Sequence, residues 1–337
     1  MALLPQLGRG FRRTVAVGAV AGAGLASYAA WEARQYTLRR VTVPLLPAGH
    51  GPLKVLHLSD IHMAPDQRAK QEWLRGLAAL EPDLVVNPGD NLAHARSVPV
   101  VADALGGLLD VPGVYVLGSN DYWVPGMRNP FLYLLPDTGR RHTSGRQLPW
   151  PDLKERFNTA GWLDLTNGFG RLDVGGTSIA FAGVDDPHLR YDDLDRVAGR
   201  ADPATDVRLG VTHAPYLRVL DQFAADGYDA IVAGHTHGGQ VCLPTLDGRG
   251  RALTTNCDIE PARARGLHRH PADSDPGEEG SAWLHVSAGL GTNPYVRIRV
   301  ACRPEATLLT LVPADSAPTS PSAATTAATA GGSGGSP

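Results

Sequence analysis

The chain has 337 residues, 43% apolar content and a formal net charge of −3. This balance excludes a bulk basic field for nucleic acid. Three cysteines, with no C-x-x-C pair, exclude a disulfide framework and a structural zinc site.

Arg9, Arg12 and Arg13 precede Thr14 to Trp31, a run of 18 residues without a charge. A bilayer span needs roughly 17–25 such residues, so residues 1–40 are expected to form a membrane anchor or a signal segment. Ser27-Tyr28-Ala29 fits a small-x-small cleavage site, and the Arg12-Arg13 pair resembles a twin-arginine export signal. The expected location is the cell membrane, through this single N-terminal segment. Arg34, Arg39 and Arg40 on its far side leave orientation and export of the following domain open. A soluble packing helix is the competing reading.

Residues 41–312 alternate strand and helix signals. Lys54 to Leu58, Asp83 to Val86, Gly113 to Leu117, Val207 to Val211 and Ala230 to Val232 read as strands. So do Ser178 to Val184, Trp283 to Ser287 and Thr307 to Leu311, without clear helices between them. Gln67 to Leu80, stopped by Pro82, reads as a helix, as do Val98 to Leu109 and Ala214 to Ala225, with Pro215 in the first turn of the last. The mix predicts an α/β fold, two packed mixed β-sheets flanked by helices. Pro261 to Gly280, rich in Arg, His and acids, is expected to be a mobile loop. Residues 313–337 hold Pro, Ala, Ser, Thr and Gly, and cannot bury enough surface to offset ordering entropy; a disordered tail is expected.

The first five strands each end in a block of Asp, His or Asn. These are Ser59-Asp60-Ile61-His62, Gly89-Asp90-Asn91, Gly118-Ser119-Asn120-Asp121, Thr212-His213-Ala214 and Gly234-His235-Thr236-His237. Loops at strand ends converge while the sheet holds them rigid. Carboxylate, imidazole and amide oxygen suit Mn, Fe or Zn better than a soft thiolate site does. Two divalent ions about 3.5–4 Å apart hold both the attacking and the leaving oxygen of a phosphoryl displacement. Asp60 and His62, two apart, reach one ion, and His235 and His237 repeat that spacing. Asp90, after a turn-permitting Gly89, is the natural bridge, and His213 with Asn120 completes the second ion.

Together these blocks resemble the calcineurin-like metallophosphoesterase superfamily, over roughly Leu53 to Leu311. The resemblance implies two divalent metal ions and a hydrolase that attacks a phosphoester or pyrophosphate with a metal-bound hydroxide. Carried over, the first metal takes Asp60, His62, Asp90 and His237, and the second takes Asp90, Asn120, His213 and His235; Asp90, Asn120 and His213 are the expected catalytic centre. One block departs. The family's G-N-H-[DE] is here Gly118-Ser119-Asn120-Asp121, so either Ser119 or, with a one-residue shift, Asn120 meets the metal, and no imidazole acid is supplied. His188 and His142 are candidates by residue type. General acid help contributes about 10²–10⁴-fold, so its loss implies a weaker enzyme or a good leaving group.

Tyr122 to Trp150 carries Arg128, Arg140, Arg141, His142 and Arg146 among aromatic residues. It is expected to be a lid whose guanidinium groups bind substrate phosphate, against the alternative of a solvated loop. Val286 to Thr292 followed by Arg303-Pro304-Glu305 resembles the bacterial membrane-anchored metallophosphoesterases, some of which cleave UDP-linked acylated glucosamine. The expected partner is thus a small-molecule or lipid phosphoester, such as UDP-diacylglucosamine. A catalytically silent, metal-stabilised binding protein is the alternative, motivated by Asn120. His57 is expected to be structural, Asp185 and Asp186 to form an ordinary turn, and Asn91 to touch metal or phosphate or to cap the next helix.

Overall fold

Every residue of Leu84–Asn87 and of Ala230–Ala233 is buried, the pattern of strands covered on both faces. The computed structural model describes residues 19–126, 143, 145–246 and 250–316. Within them, helix α1 (residues 19–32) leads into β1 (Thr37–Leu46), β2 (Leu53–His57), α2 (Arg68–Gly76), β3 (Leu84–Asn87), α3 (Ser97–Leu105), β4 (Gly113–Tyr115) and α4 (Ser119–Tyr122). Then come α5 (Trp150–Thr159), β5 (Leu163–Asp164), β6 (Gly168–Val174), β7 (Thr177–Gly183), α6 (Leu194–Val197), β8 (Val207–Thr212), α7 (Leu217–Ala225) and β9 (Ala230–Ala233). A short hairpin, β10 (Cys242–Leu243) and β11 (Arg251–Ala252), precedes β12 (Gly266–His270), β13 (Ala282–Val286) and β14 (Glu305–Pro313).

Two six-stranded mixed sheets result, ordered β1-β14-β2-β3-β4-β5 and β12-β13-β9-β8-β7-β6. Their facing sides make one apolar layer from Val55, Val86, Val114 and Leu309 of the first sheet and Phe181, Leu209, Val211 and Val232 of the second. Outside the first sheet, Leu74, Val101, Leu105 and Phe157 bring α2, α3 and α5 onto Leu56, Val85 and Tyr115. Outside the second, α7 buries Val219, Leu220 and Phe223 against Ile231 and Leu284. This is the expected α/β architecture, with helices outside both sheets.

Several local expectations move. The helix expected at Ala214 starts at Leu217, so Pro215 precedes it rather than forming its first turn. The stretch expected as a mobile loop, Pro261 to Gly280, holds an edge strand. β12 pairs antiparallel with β13 from Gly266↔Val286 to His270↔Ala282, and backbone pairing to a buried neighbour overrides its charged composition. β1 starts at Thr37, ahead of the domain start expected at residue 41, and pairs in parallel with β14.

α1 is tied to the end of the domain. The buried Glu32 carboxylate accepts Ala301 N–H and Cys302 N–H, both at 2.9 Å, and Ala29 O accepts Arg299 N–H at 3.0 Å. The other side of α1 leaves Val20, Leu25, Tyr28 and Trp31 exposed. Among the described residues, no helix is long and apolar enough to cross a membrane. The expected segment begins at Thr14, outside the described residues, as does the tail from residue 317 onward.

Candidate metal centre

β2, β3 and β4 run parallel in the first sheet, and β8, β9 and β13 run parallel in the second. The loops leaving their carboxyl ends meet over the seam between the sheets and carry every ligand expected from the sequence. Asp60, His62, Asp90, His235 and His237 all have left-handed backbone, with φ of 50°, 42°, 59°, 67° and 49°. Such conformations are costly for residues with a Cβ and persist where the surroundings over-determine them, as functional sites do. Crowding is one reason. A Cβ on Gly89 would fall 2.4 Å from Gly118 N, and one on Gly289 would fall 2.5 Å from the Asp60 Cβ.

Donor atoms of Asp60, His62, Asp90 and His237 lie within 4.8 Å of one another. His62 Nε2 is 3.2 Å from His237 Nε2 and 3.4 Å from Asp90 Oδ2. His237 Nε2 is 3.7 Å from Asp60 Oδ1. Beside this group, His213 Nε2 is 3.6 Å from Asp90 Oδ1 and 3.3 Å from His235 Nδ1. Asn120 donates to Asp90 twice, from its backbone N–H to Oδ1 and from Nδ2 to Oδ2, each at 2.7 Å. Asp90 therefore faces both groups, and Asn120 rather than Ser119 reaches it. Ser119 Oγ accepts from Asn120 Nδ2 at 3.3 Å.

The donor set fits two divalent cations. His237 Nδ1 is 3.1 Å from Gly291 O and His213 Nδ1 is 2.8 Å from Pro88 O. With those nitrogens donating to carbonyls, each Nε2 presents a lone pair inward, toward another imidazole nitrogen. Lone pairs gathered with buried carboxylates call for a cation. The buried carboxylates also draw positive charge to the cluster, a proton on His213 where no metal ion is bound. Burial alone would depress the His213 imidazole, but the carboxylates of Asp90, Asp186 and Asp60 outweigh it and raise it to about 9. Burial lowers His62 to about 4 and pushes His235 and His237 well down. Burial raises Asp60, whereas for Asp90 the His213 and His62 rings outweigh burial and lower it.

Several supporting residues were not singled out by the sequence. Asp121 is fully buried and accepts four backbone N–H groups: Asp90 and Asn91 at 2.8 and 2.7 Å, Gly118 at 3.0 Å and Leu92 at 3.1 Å. Its only signal was the last letter of the third block. Arg299 is fully buried and donates to Ala288 O at 2.7 Å, Gly291 O at 2.7 Å and His237 O at 3.0 Å. Lys70, also buried, donates to Ile61 O at 2.7 Å. Asn91 does not cap the next helix, and its side chain is engaged by Asn87. Asn87 Nδ2 donates to its Oδ1 at 2.8 Å, and α3 begins after Arg96. His57 is structural, its Nδ1 2.8 Å from His285 Nδ1. Asp185 and Asp186 do form a turn, and it supports the site: Tyr122 Oη donates to Asp185 Oδ1 at 2.8 Å, and Asp186 Oδ1 accepts His188 N–H at 2.7 Å.

A cleft of about 80 Å³ opens over the ligands, walled by Trp123, Val124, His188, Leu189, Asn256 and Asn293. Arg128, Arg140, Arg141 and His142 of the expected lid lie outside the described residues. Arg146 is exposed, and its carbonyl accepts Val124 N–H at 2.9 Å, beside the cleft wall.

The fold and the ligand cluster define a metal-dependent phosphoesterase. Residues 53–239 match the family model described as calcineurin-like phosphoesterase, and the chain belongs to that family. It is 26% identical over 262 residues to the uncharacterized metallophosphoesterase YkoQ of Bacillus subtilis, covering 76% of this chain and 82% of that one. It is 24% identical over 267 residues to phosphodiesterase YaeI of Escherichia coli, covering 77% and 83%. A transmembrane protein with metallophosphoesterase domain from Bos taurus is 30% identical over 216 residues, covering 61% of this chain and 45% of that one. Among solved structures, a dimetal phosphatase from Danio rerio is a distant likeness, at a TM-score of 0.39, 14% identity and coverage of 74% and 88%.

Proposed function

We propose that the protein is a two-metal hydrolase of phosphodiester or pyrophosphate bonds, rather than a silent metal-stabilised binding protein. One observation supports this most: the two oxygens of Asp90 face different imidazoles, His62 at 3.4 Å and His213 at 3.6 Å. Asp60, His62 and His237 would hold the first ion and Asn120, His213 and His235 the second, with Asp90 between them. When bound, such ions polarise the phosphoryl group and make water nucleophilic near neutral pH. The chain's own residues do the rest. Asp90 fixes the spacing of the two ligand groups. Asp121 and the carbonyls of Pro88 and Gly291 set loop and ring orientations. Trp123, Val124 and Leu189 exclude water from one wall of the cleft.

The substrate reading rests on the same cleft. Its apolar wall, together with the exposed side of α1, supports an amphiphile with an anionic head, taken from a membrane surface to which the N-terminal segment holds the domain. UDP-diacylglucosamine is one molecule of this kind. Arg128, Arg140, Arg141 and Arg146 would bind its phosphates. Purified protein with Mn²⁺ is expected to cleave bis-p-nitrophenyl phosphate, and to favour long-chain over short-chain versions of one lipid phosphodiester. Stoichiometric metal without turnover under any divalent ion would establish the binding reading instead.

A further inference from the structure

We propose that Cys242 and Cys302 form a redox modification site, in which a peroxide converts the two thiols to a disulfide and loosens the turn that carries His237. Its effect on metal rests on the two-metal reading above; formation of the bond does not. Both cysteines are free and buried. Cys242 opens β10, and Cys302 lies just ahead of β14. The fold brings them together: Val241 bridges Val300 in parallel, and Cys242 N–H donates to Val300 O at 2.9 Å. Chains bridged side by side lie about 4.7–4.9 Å apart, within the roughly 4.4–6.8 Å between Cα atoms that a disulfide spans. Both sulfurs reach one carbonyl. Cys242 Sγ donates to Gly238 O at 3.2 Å, and Cys302 Sγ is 3.5 Å from the same oxygen and 3.3 Å from His237 O. Each thiol is also a hydrogen-bonding neighbour of the other.

In the reduced protein the thiols complete the turn. Gly238 is buried and left-handed, with φ of 60°, so its carbonyl needs a donor from within the protein. Among the described residues, the donors to Gly238 O are the two thiols. His237 O, by contrast, is also held by Arg299 Nη1 and by Gln240 N–H, each at 3.0 Å. A Cβ on Gly238 would fall 2.8 Å from Cys302 Sγ, so the turn packs directly on that sulfur. Disulfide formation takes the protons from both sulfurs. It leaves Gly238 O without a donor, one residue from a ligand of the first ion. The pair clusters with Ala252, Ala264 and Ala288 under the two-residue strands of the β10–β11 hairpin, where Leu243 and Leu253 are exposed. An element with so few backbone pairs opens locally with little free energy, which gives a small oxidant a route to the buried sulfurs.

With hydrogen peroxide as the oxidant, one sulfur attacks a peroxide oxygen and the O–O bond breaks. A sulfenic acid and one water result. The second sulfur then attacks the sulfenic sulfur. The S–S bond forms, and the hydroxyl leaves with the second thiol's proton as another water. The two thiols lose two electrons and two protons, and the peroxide takes them up. A reductant that delivers two electrons to the bond restores both thiols and the donors to Gly238 O.

The test treats the full chain with hydrogen peroxide and follows two readouts, peptide mass mapping and Mn²⁺ titration. Peroxide is expected to link the Cys242 and Cys302 peptides with the loss of two hydrogens. Affinity for the first Mn²⁺ should fall about tenfold, as for loss of an outer-shell support, while the second ion titrates as before. A phosphine reductant should reverse both changes. Cys242→Ala, which cannot form the bond, should keep its own Mn²⁺ affinity through the treatment, and Cys257→Ala should respond as wild type does. Both thiols surviving, oxygen added to single cysteines without a link, or a linked protein with unchanged Mn²⁺ affinity would overturn the site. So would an equal peroxide-induced loss of affinity in Cys242→Ala. Reduced protein that binds no Mn²⁺ would instead remove the two-metal reading, and with it the effect assigned to the bond.

Discussion

Asp60, His62 and His237 are held from several directions, whereas Asn120, His213 and His235 rest on few contacts. Asp60 accepts His235 N–H and Ser59 Oγ–H, the latter at 2.5 Å, and its own N–H donates to Gly89 O at 3.0 Å. The backbone of Gly289 and Gly291 closes directly over Asp60 and His62. Arg299 and Lys70 donate from buried positions to the carbonyls of the same loops. On the second side, His213 has the Pro88 carbonyl, and among the described residues the half-buried Asn120 bonds through its side chain to Asp90 and Ser119. The first half is the more heavily buttressed one, the socket, while His62 and His237 of the first half and Asn120 and His235 of the second all line the cleft. A family motif that departs only in its third block thus departs in the half with the fewer supports.

The change that erases the distinction between the halves should have the largest effect. Asp90→Ala is expected to lose both ions and to bring activity down to that of the metal-free protein, as measured by elemental analysis and by bis-p-nitrophenyl phosphate hydrolysis. Unchanged metal content would remove Asp90 from the bridging position. Next is Arg299→Met, aimed at the socket alone. Outer-shell substitutions cost roughly 10–100-fold in metal affinity. That loss should fall on one ion of the two, with the second titrating as in wild type. Equal weakening of both would mean that Arg299 supports the fold and not the socket.

This contrast also explains what could be read from the sequence. Asp60 with His62, and His235 with His237, are visible because each pair is local: a two-residue spacing at a strand end suffices. The rest of the ligand set came from the resemblance of the five blocks, in their chain order, to the family pattern, and the two-sheet architecture followed from apolar runs with and without helices between them. Support of the socket was hidden because its partners are distant in the chain. Arg299 meets His237, and Glu32 meets Cys302, across long intervals that no periodicity reports. β12 was misread because a charged, His-rich edge strand has the composition of a loop and owes its conformation to β13.

A pH measurement probes the scaffold of the socket. His57 ends β2, which feeds Asp60, and His285 lies on β13, which feeds Gly289. Burial lowers His285 to about 4 and lowers His57 well below its ordinary value, with the His285 ring adding to the effect on His57; Glu305 raises His285, and His268 and Arg39 lower it. Both folded-state values lie below the unfolded value, so the unfolded chain binds more protons between them. Their contribution is full above the unfolded value of about 6.5 and is lost as pH falls toward 4. Between pH 7 and 5, wild type should lose about 4 kcal/mol more stability than a His57→Leu/His285→Leu variant in urea unfolding, about 2 kcal/mol for each ring. Parallel losses in the two proteins would show that the pair takes no part in acid sensitivity.

The smallest effect is expected in the half with the fewer supports. Asn120 donates to both oxygens of Asp90, so its side chain helps orient the bridge, yet its removal leaves His213, His235 and Asp90 in place for the second ion. Asn120→Ala should therefore weaken that ion by about tenfold, near 1.4 kcal/mol, and leave the first unchanged. Ser119→Ala, which changes the neighbour that does not reach Asp90, should leave both affinities unaltered. Stepwise Mn²⁺ titration by calorimetry separates the two sites. If Ser119→Ala weakens the second ion and Asn120→Ala does not, the third block aligns without a shift, Ser119 is the ligand, and the second half has been assigned one residue too far along the chain.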